Sequence, residues 1–208
     1  MSGKINKAAV VSTIILLALV FLYNGPVFAS EKDDITGAAV KYYSGEAGTR
    51  VYDIRTAGNW AAVFIECTSK SGDVWKGQVL LKKANGKWKG VRGTSRNMIT
   101  PALKASGVPE ALWNKLLDPA WIAKSAPLTS ALGDKGRVHT NLRISGEWAF
   151  GAWEQTDKSG ETIGEGVTLL HLKNGKWTIV TSGGGAMSDN ELKQYGVPEK
   201  NLKELLDR

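Results

Sequence analysis

Ala84-Asn85-Gly86-Lys87-Trp88 and Lys173-Asn174-Gly175-Lys176-Trp177 carry the same turn, 89 residues apart. Asn-Gly between apolar runs is a strong hairpin signal, because a type I′ turn needs φ > 0 at both central positions. The likeness spreads outward from this pair. Gly58-Asn59-Trp60-Ala61 is matched by Gly146-Glu147-Trp148-Ala149, Ser71-Gly72 by Ser159-Gly160, and Leu80-Leu81 by Leu169-Leu170. Further on, Gly107-Val108-Pro109-Glu110 is matched by Gly196-Val197-Pro198-Glu199, and Leu116-Leu117-Asp118 by Leu205-Leu206-Asp207. The offset is 88 up to Gly72/Gly160 and 89 beyond, so one residue was gained or lost after that glycine. A period this long and only two copies do not suit a solenoid, so the chain reads as a duplicated small domain.

Each copy predicts four strands joined by three turns: 49–56, 59–69, 74–84 and 87–92, then 137–144, 147–157, 163–173 and 176–182. The second strand of the first copy, Trp60-Ala61-Ala62-Val63-Phe64-Ile65, is apolar on both faces. That predicts a central strand covered on both sides. Thr100-Pro101 suggests an N-cap followed by Pro, and Ser188-Asp189-Asn190-Glu191 has the form of a capping box. Gly107 and Gly196 suit helix stops, after which Leu112, Leu116 and Leu117, or Leu202, Leu205 and Leu206, form an apolar helical stripe. Helices are also expected over about 33–43 and 119–131. The expected fold class is α+β: two tandem four-stranded antiparallel meanders with packed helices, placed on one face of each sheet. The boundaries are 1–29, 30–118 and 119–208.

The first 29 residues read as an export signal. Lys4 and Lys7 precede the uncharged run Ala8–Tyr23, then Asn24-Gly25-Pro26 and Val27-Phe28-Ala29. Small or apolar residues at −3 and −1 place cleavage after Ala29. The sixteen uncharged residues reach roughly 24 Å as a helix, short of the ~30 Å hydrocarbon core, which disfavours the alternative of an N-terminal membrane anchor. The absence of Cys near that point disfavours a lipoprotein. The expected location is periplasmic or secreted.

The Gly-x-Trp … Leu-Leu … Asn-Gly-Lys-Trp ladder resembles strands of cystatin-like and NTF2-like exported modules. The closing pattern Leu-x(3)-Gly-Val-Pro-Glu-x(6)-Leu-Leu resembles uncharacterised exported bacterial proteins with no assigned function. The resemblance implies an exported module and carries no site residues with it.

Composition narrows the chemistry. One Cys forbids an intramolecular disulfide and a Cys-based zinc or iron–sulfur site, and two His leave little for another metal centre. Cys67 lies in an apolar run and reads as a buried thiol. Cofactors and metals are expected to be none. Charge is the informative quantity. The net +7 includes +5 from residues 30–118, with 14 basic and 9 acidic side chains; residues 119–208 hold 11 of each. The excess concentrates in Lys76, Lys82, Lys83, Lys87, Lys89, Arg92 and Arg96, with no acid from 74 to 109. Positions 82, 83, 89, 92 and 96 correspond to His171, Leu172, Thr178, Thr181 and Gly185, so the fold does not require those charges.

These seven residues are therefore the candidate surface for an anionic partner: a cell-wall polymer, a lipid head group or nucleic acid. Trp75 and Trp88 are candidate stacking contacts. The competing reading is a solvated basic face that only aids solubility. Glu66 and Glu154 occupy matched strand positions and read as acids paired with nearby Lys or Arg. Gly183-Gly184-Gly185 lacks the following Lys-Ser/Thr of a phosphate loop. If Ala57-Gly58 form the first turn, Arg55 faces Trp60 and Arg143 faces Trp148. Nothing in the sequence has catalytic context. The leading expectation is a non-enzymatic binding protein at the cell envelope. The alternatives are a hydrolase or small-ligand enzyme with a site between the copies, and a self-assembling structural module.

Overall fold

The computed structural model describes residues 30–133, 136–159 and 161–206. Residues 1–29, the stretch expected to be an export signal, lie outside them. The strands are β1 (Gly48–Ala57), β2 (Trp60–Thr68), β3 (Val74–Ala84), β4 (Lys87–Ser95), β5 (Val138–Ser145), β6 (Trp148–Thr156), β7 (Thr162–Lys173) and β8 (Lys176–Gly184). They form two four-stranded antiparallel sheets, ordered β1-β2-β3-β4 and β5-β6-β7-β8. The helices are α1 (Glu31–Tyr42), α2 (Thr100–Ala105), α3 (Trp113–Leu116), α4 (Pro119–Leu132), α5 (Asp189–Gln194) and α6 (Glu199–Leu206). A 3₁₀ turn, Glu110–Leu112, leads into α3. The protein is α+β with an internal repeat, and both sheets belong to one unit, residues 34–208.

The turns follow the dihedrals their residues permit. Asn85 and Gly86 have φ of 51° and 74°, and Asn174 and Gly175 repeat those values. The first hairpin differs from expectation. Ala57 pairs with Trp60, so its two-residue loop is Gly58-Asn59, not Ala57-Gly58. Gly58 at φ 58° takes the position that a type II′ turn reserves for Gly. Arg55 consequently sits opposite Ala62 and Arg143 opposite Phe150, and neither faces the expected tryptophan.

Even the irregularities are duplicated. The β1–β2 ladder slips at Tyr52 and the β5–β6 ladder at Thr140, 88 residues on. The β3–β4 ladder slips at Val91 and the β7–β8 ladder at Val180, 89 on. The one-residue length difference is a bulge of its own: Gln155 pairs with Gly164 and Thr156 with Thr162, leaving Ile163 unpaired and exposed. The matching β2–β3 ladder runs without a shift.

Helices cover both faces of each sheet, which corrects the expectation of one face. Ala61, Val63, Ile65 and Cys67 point to one side of β2 and pack under Ile35 and Ala39 of α1. Trp60 and Ala62 point to the other side, against Ala102, Leu103 and Leu116. The second sheet repeats this arrangement. Ala149 and Leu170 lie under Leu128 and Leu132 of α4, while Trp148, Phe150 and Leu169 meet Leu192, Leu202 and Leu205. A strand apolar on both faces needs this double cover, because exposing either row would leave large apolar area in water.

Helix ends follow local chemistry with one exception. Gly107 donates to the Lys104 carbonyl and Val108 to that of Leu103, at 3.0 Å each; Gly196 and Val197 repeat both bonds on Lys193 and Leu192. These are Schellman motifs around glycines at φ 77° and 88°. Ser188 and Glu191 form a reciprocal capping box. Thr100, expected as an N-cap, is instead the first residue of α2; Ile99 precedes it and makes no side-chain cap.

Candidate binding site

The candidate cations do not share one patch. In β3 and β4, Lys82 lies directly opposite Lys89, and Ala84 opposite Lys87. Strand alternation puts Lys82, Lys87 and Lys89 on one side of the hairpin tip, all exposed. Lys83 points to the other side, its ammonium 5.5 Å from the Trp88 ring centre. Lys82 lies 5.0 Å from the Trp60 ring centre. Lys76 stands six residues back along β3, roughly 20 Å away at strand rise, opposite Glu66 and over the Tyr52 ring.

Two of the seven leave the sheet surface altogether. The Arg92 guanidinium forms an ion pair with Glu154, and its Nε donates to Ser106 Oγ at 3.0 Å. Arg92 therefore belongs to the junction between the sheets, not to a free basic face. Arg96 follows β4 at φ 93°, where the second copy has Gly185 at φ 80°. That position calls for glycine, and the first copy holds a strained arginine there. Arg96 and Arg143 line the same cleft with Lys124 and Glu204. Burial and the nearby Arg96 push the Arg143 guanidinium down to about 10, while its Nη1 donates to the Leu205 carbonyl at 2.8 Å.

The aromatic candidates are structural. Trp88 is 8% exposed and sits in the core under α1. Trp75 is half-buried, edge-to-face with Tyr43 at 5.4 Å. Trp88 is thus closed to a ligand, and Trp75 is partly covered by its packing on Tyr43. The paired carboxylates also divide: Glu66 bonds its cross-strand neighbour Arg50 at 3.0 Å, while Glu154 reaches to Arg92. Cys67 is buried beside Thr49 Oγ1, and burial pushes its thiol upward.

The junction itself is a polar seam that the repeat pattern hides. Met98 and Asn141 make an antiparallel bridge. Asn141 Nδ2 donates to Thr94 Oγ1 at 2.8 Å, the Gln78 side chain accepts from the Met98 N–H at 3.0 Å, and Trp121 Nε1 donates to the Met98 carbonyl at 2.9 Å. Their counterparts are unlike them: Gln78 aligns with Val167, Thr94 with Gly183 and Asn141 with Asp53. Unmatched polar residues at otherwise matched positions were the available signal. A cleft of 490 Å³ opens beside this seam, lined by residues of α2, α3, α4 and β5. Among the described residues, no group of three or more His, Cys, Asp or Glu is placed to hold a metal, and no helix is long and apolar enough to cross a membrane.

No family model and no curated protein matches the chain. Among solved structures, the N-terminal domain of the fibronectin-binding protein PavA from Streptococcus pneumoniae matches at 10% identity and a TM-score of 0.17. The match covers 74% of this chain and 56% of that one. A likeness that slight carries no argument about fold or function.

Proposed function

We propose that the protein is an exported, non-enzymatic binding protein of the cell envelope that holds an anionic partner through the β3–β4 hairpin tip. The observation that carries the reading is the direct opposition of Lys82 and Lys89. Like charges directly opposite in an antiparallel pair are destabilising, and the second copy places His171 opposite Thr178 there, with no pair of lysines. The pairing thus opposes folding stability, which favours a role outside the fold. With Trp88 buried and Trp75 packed on Tyr43, the contact is ionic and offers no stacking, which suits phosphate or carboxylate groups more than unstacked bases.

The test uses retention on anionic vesicles, an anionic cell-wall polymer and nucleic acid across a salt series, with neutral vesicles as reference. Replacing Lys82, Lys83 and Lys89 by His, Leu and Thr, the residues of the second copy, lowers retention and flattens its salt dependence. Arg92 is left intact because it holds Glu154. Lys89→Glu weakens retention while raising stability by about 0.2–1 kcal/mol, since it turns a repulsive cross-strand pair into an attractive one. Retention unchanged in both variants overturns the reading.

A further inference from the structure

We propose that the 490 Å³ cleft between α2, α3 and the α4–β5 corner binds a small amphipathic organic acid, its apolar part against Trp113 and its carboxylate near Lys104. The volume falls in the range of small-molecule sites, about 300–1,000 Å³. Pro101, Ala105, Trp113 and Val138 make an apolar wall. The Trp113 ring is fixed in place, because its Nε1 donates to the Val108 carbonyl at 3.1 Å. Lys104 and Arg137 contribute positive charge, and no carboxylate lines the cleft among the described residues.

Two residues single this cleft out. His139 is 5% exposed and its Nδ1 has no hydrogen-bond partner. An unpartnered buried polar atom costs roughly 1–3 kcal/mol, so a packing role alone does not account for it. Its counterpart 88 residues earlier is Val51, which shows that the strand position itself is satisfied by an apolar side chain. Trp113 likewise stands where the second copy has Leu202, a buried core leucine. Both departures from the repeat fall on one cleft. Burial and the neighbouring Arg137 hold the imidazole pKa down to about 4, so at neutral pH His139 lines the cleft as an uncharged group. Thr100 and Thr129 also line the cleft, the Thr129 hydroxyl donating to the Ala126 carbonyl at 2.9 Å.

The test titrates the full chain with octanoate, 1-octanol and octylammonium, following the His139 ring signals by NMR and affinity by calorimetry. Octanoate shifts the His139 signals and binds at least about tenfold more tightly than octanol, the size expected of one hydrogen bond to a charged group. Octylammonium does not compete. Lys104→Gln removes the preference for octanoate over octanol and leaves octanol binding unchanged. His139→Val and Trp113→Leu use residues that the other copy tolerates, so both keep the fold; each weakens octanoate several-fold. Lys89→Glu leaves octanoate binding intact, which separates this cleft from the hairpin tip. Equal binding of octanoate and octanol, shifts confined to residues outside the cleft, or unchanged affinity in Lys104→Gln and His139→Val overturns the proposal.

Discussion

Single residues carry much of the specificity of this fold, and several do so by what they lack. A Cβ on Gly77 would run into the Thr94 carbonyl and the Trp75 ring, and one on Gly166 into the Gly183 carbonyl and the Trp153 ring. The obstructing carbonyls belong to neighbouring strands and cannot swing aside. Gly77→Ala and Gly166→Ala therefore each lose about 1–3 kcal/mol in urea unfolding, whereas Gly45→Ala, with open space around it, stays near wild type. His139 gives a different kind of prediction. Its folded pKa of about 4 lies below the ordinary value of 6.5. The unfolded chain therefore takes up a proton first as pH falls, and the stabilisation present above about pH 6.5 is lost on the way down to about 4. His139→Val flattens that dependence in urea midpoints measured from pH 7.5 to 4.5; parallel slopes for the two proteins would refute it.

At the scale of elements, the duplicated hairpins are the most local part of the design. Gly86 and Gly175 both sit at φ 74°, a left-handed conformation that costs a side-chain-bearing residue roughly 1–2 kcal/mol. Gly86→Ala and Gly175→Ala lose about that much, and by similar amounts, when thermal and urea unfolding are compared. A large inequality would mean that the turns differ in what surrounds them. These elements were legible because each depends on a short run of residues: Asn-Gly, the Gly-Val stops and the Ser188 capping box all act within five positions. The Gly58-Asn59 loop lies one residue beyond the Ala57-Gly58 turn that local sequence suggests. Ala57 and Gly58 are both compatible with turns, and only the cross-strand register, set by packing Trp60 into the core, chooses between them. That helices cover both faces of each sheet is hidden from local sequence for a related reason. An apolar stripe on a helix says that it packs, not which side of the sheet receives it.

The whole molecule depends on the seam between the two sheets. Arg92 and Glu154 are the charged part of it, with side-chain exposures of 16% and 27%. Removing one partner leaves a partly buried charge uncompensated, so Arg92→Leu and Glu154→Leu each destabilise by about 2–4 kcal/mol. The double variant is less harmful than the sum, because replacing both members of a buried pair with apolar residues is often nearly neutral. A double-mutant cycle by chemical denaturation measures that coupling, and a coupling of zero would remove the pair from the seam. The same bridge explains why the basic patch read from the sequence divides. Seven cations within a short stretch look like one surface in one dimension. Strand alternation sends Lys83 away from Lys82, strand length separates Lys76 from the hairpin tip, and the second sheet draws Arg92 and the path of Arg96 into the junction.

The sequence by itself determined the duplication, the four-stranded plan of each copy, the turn chemistry and the helix stops, because these rest on residues close together in the chain and are stated twice. It also marked the charge asymmetry, which is a matter of counting. Only the tertiary structure decided which cations stay in solvent, which tryptophans are core, and that Arg92, Thr94, Asn141 and Glu154 join the copies. Those outcomes depend on groups tens of residues apart meeting across a seam, and no local preference encodes such a meeting. The cleft that holds His139 and Trp113 is of the same kind: its walls come from four elements, and it exists only once both sheets are packed.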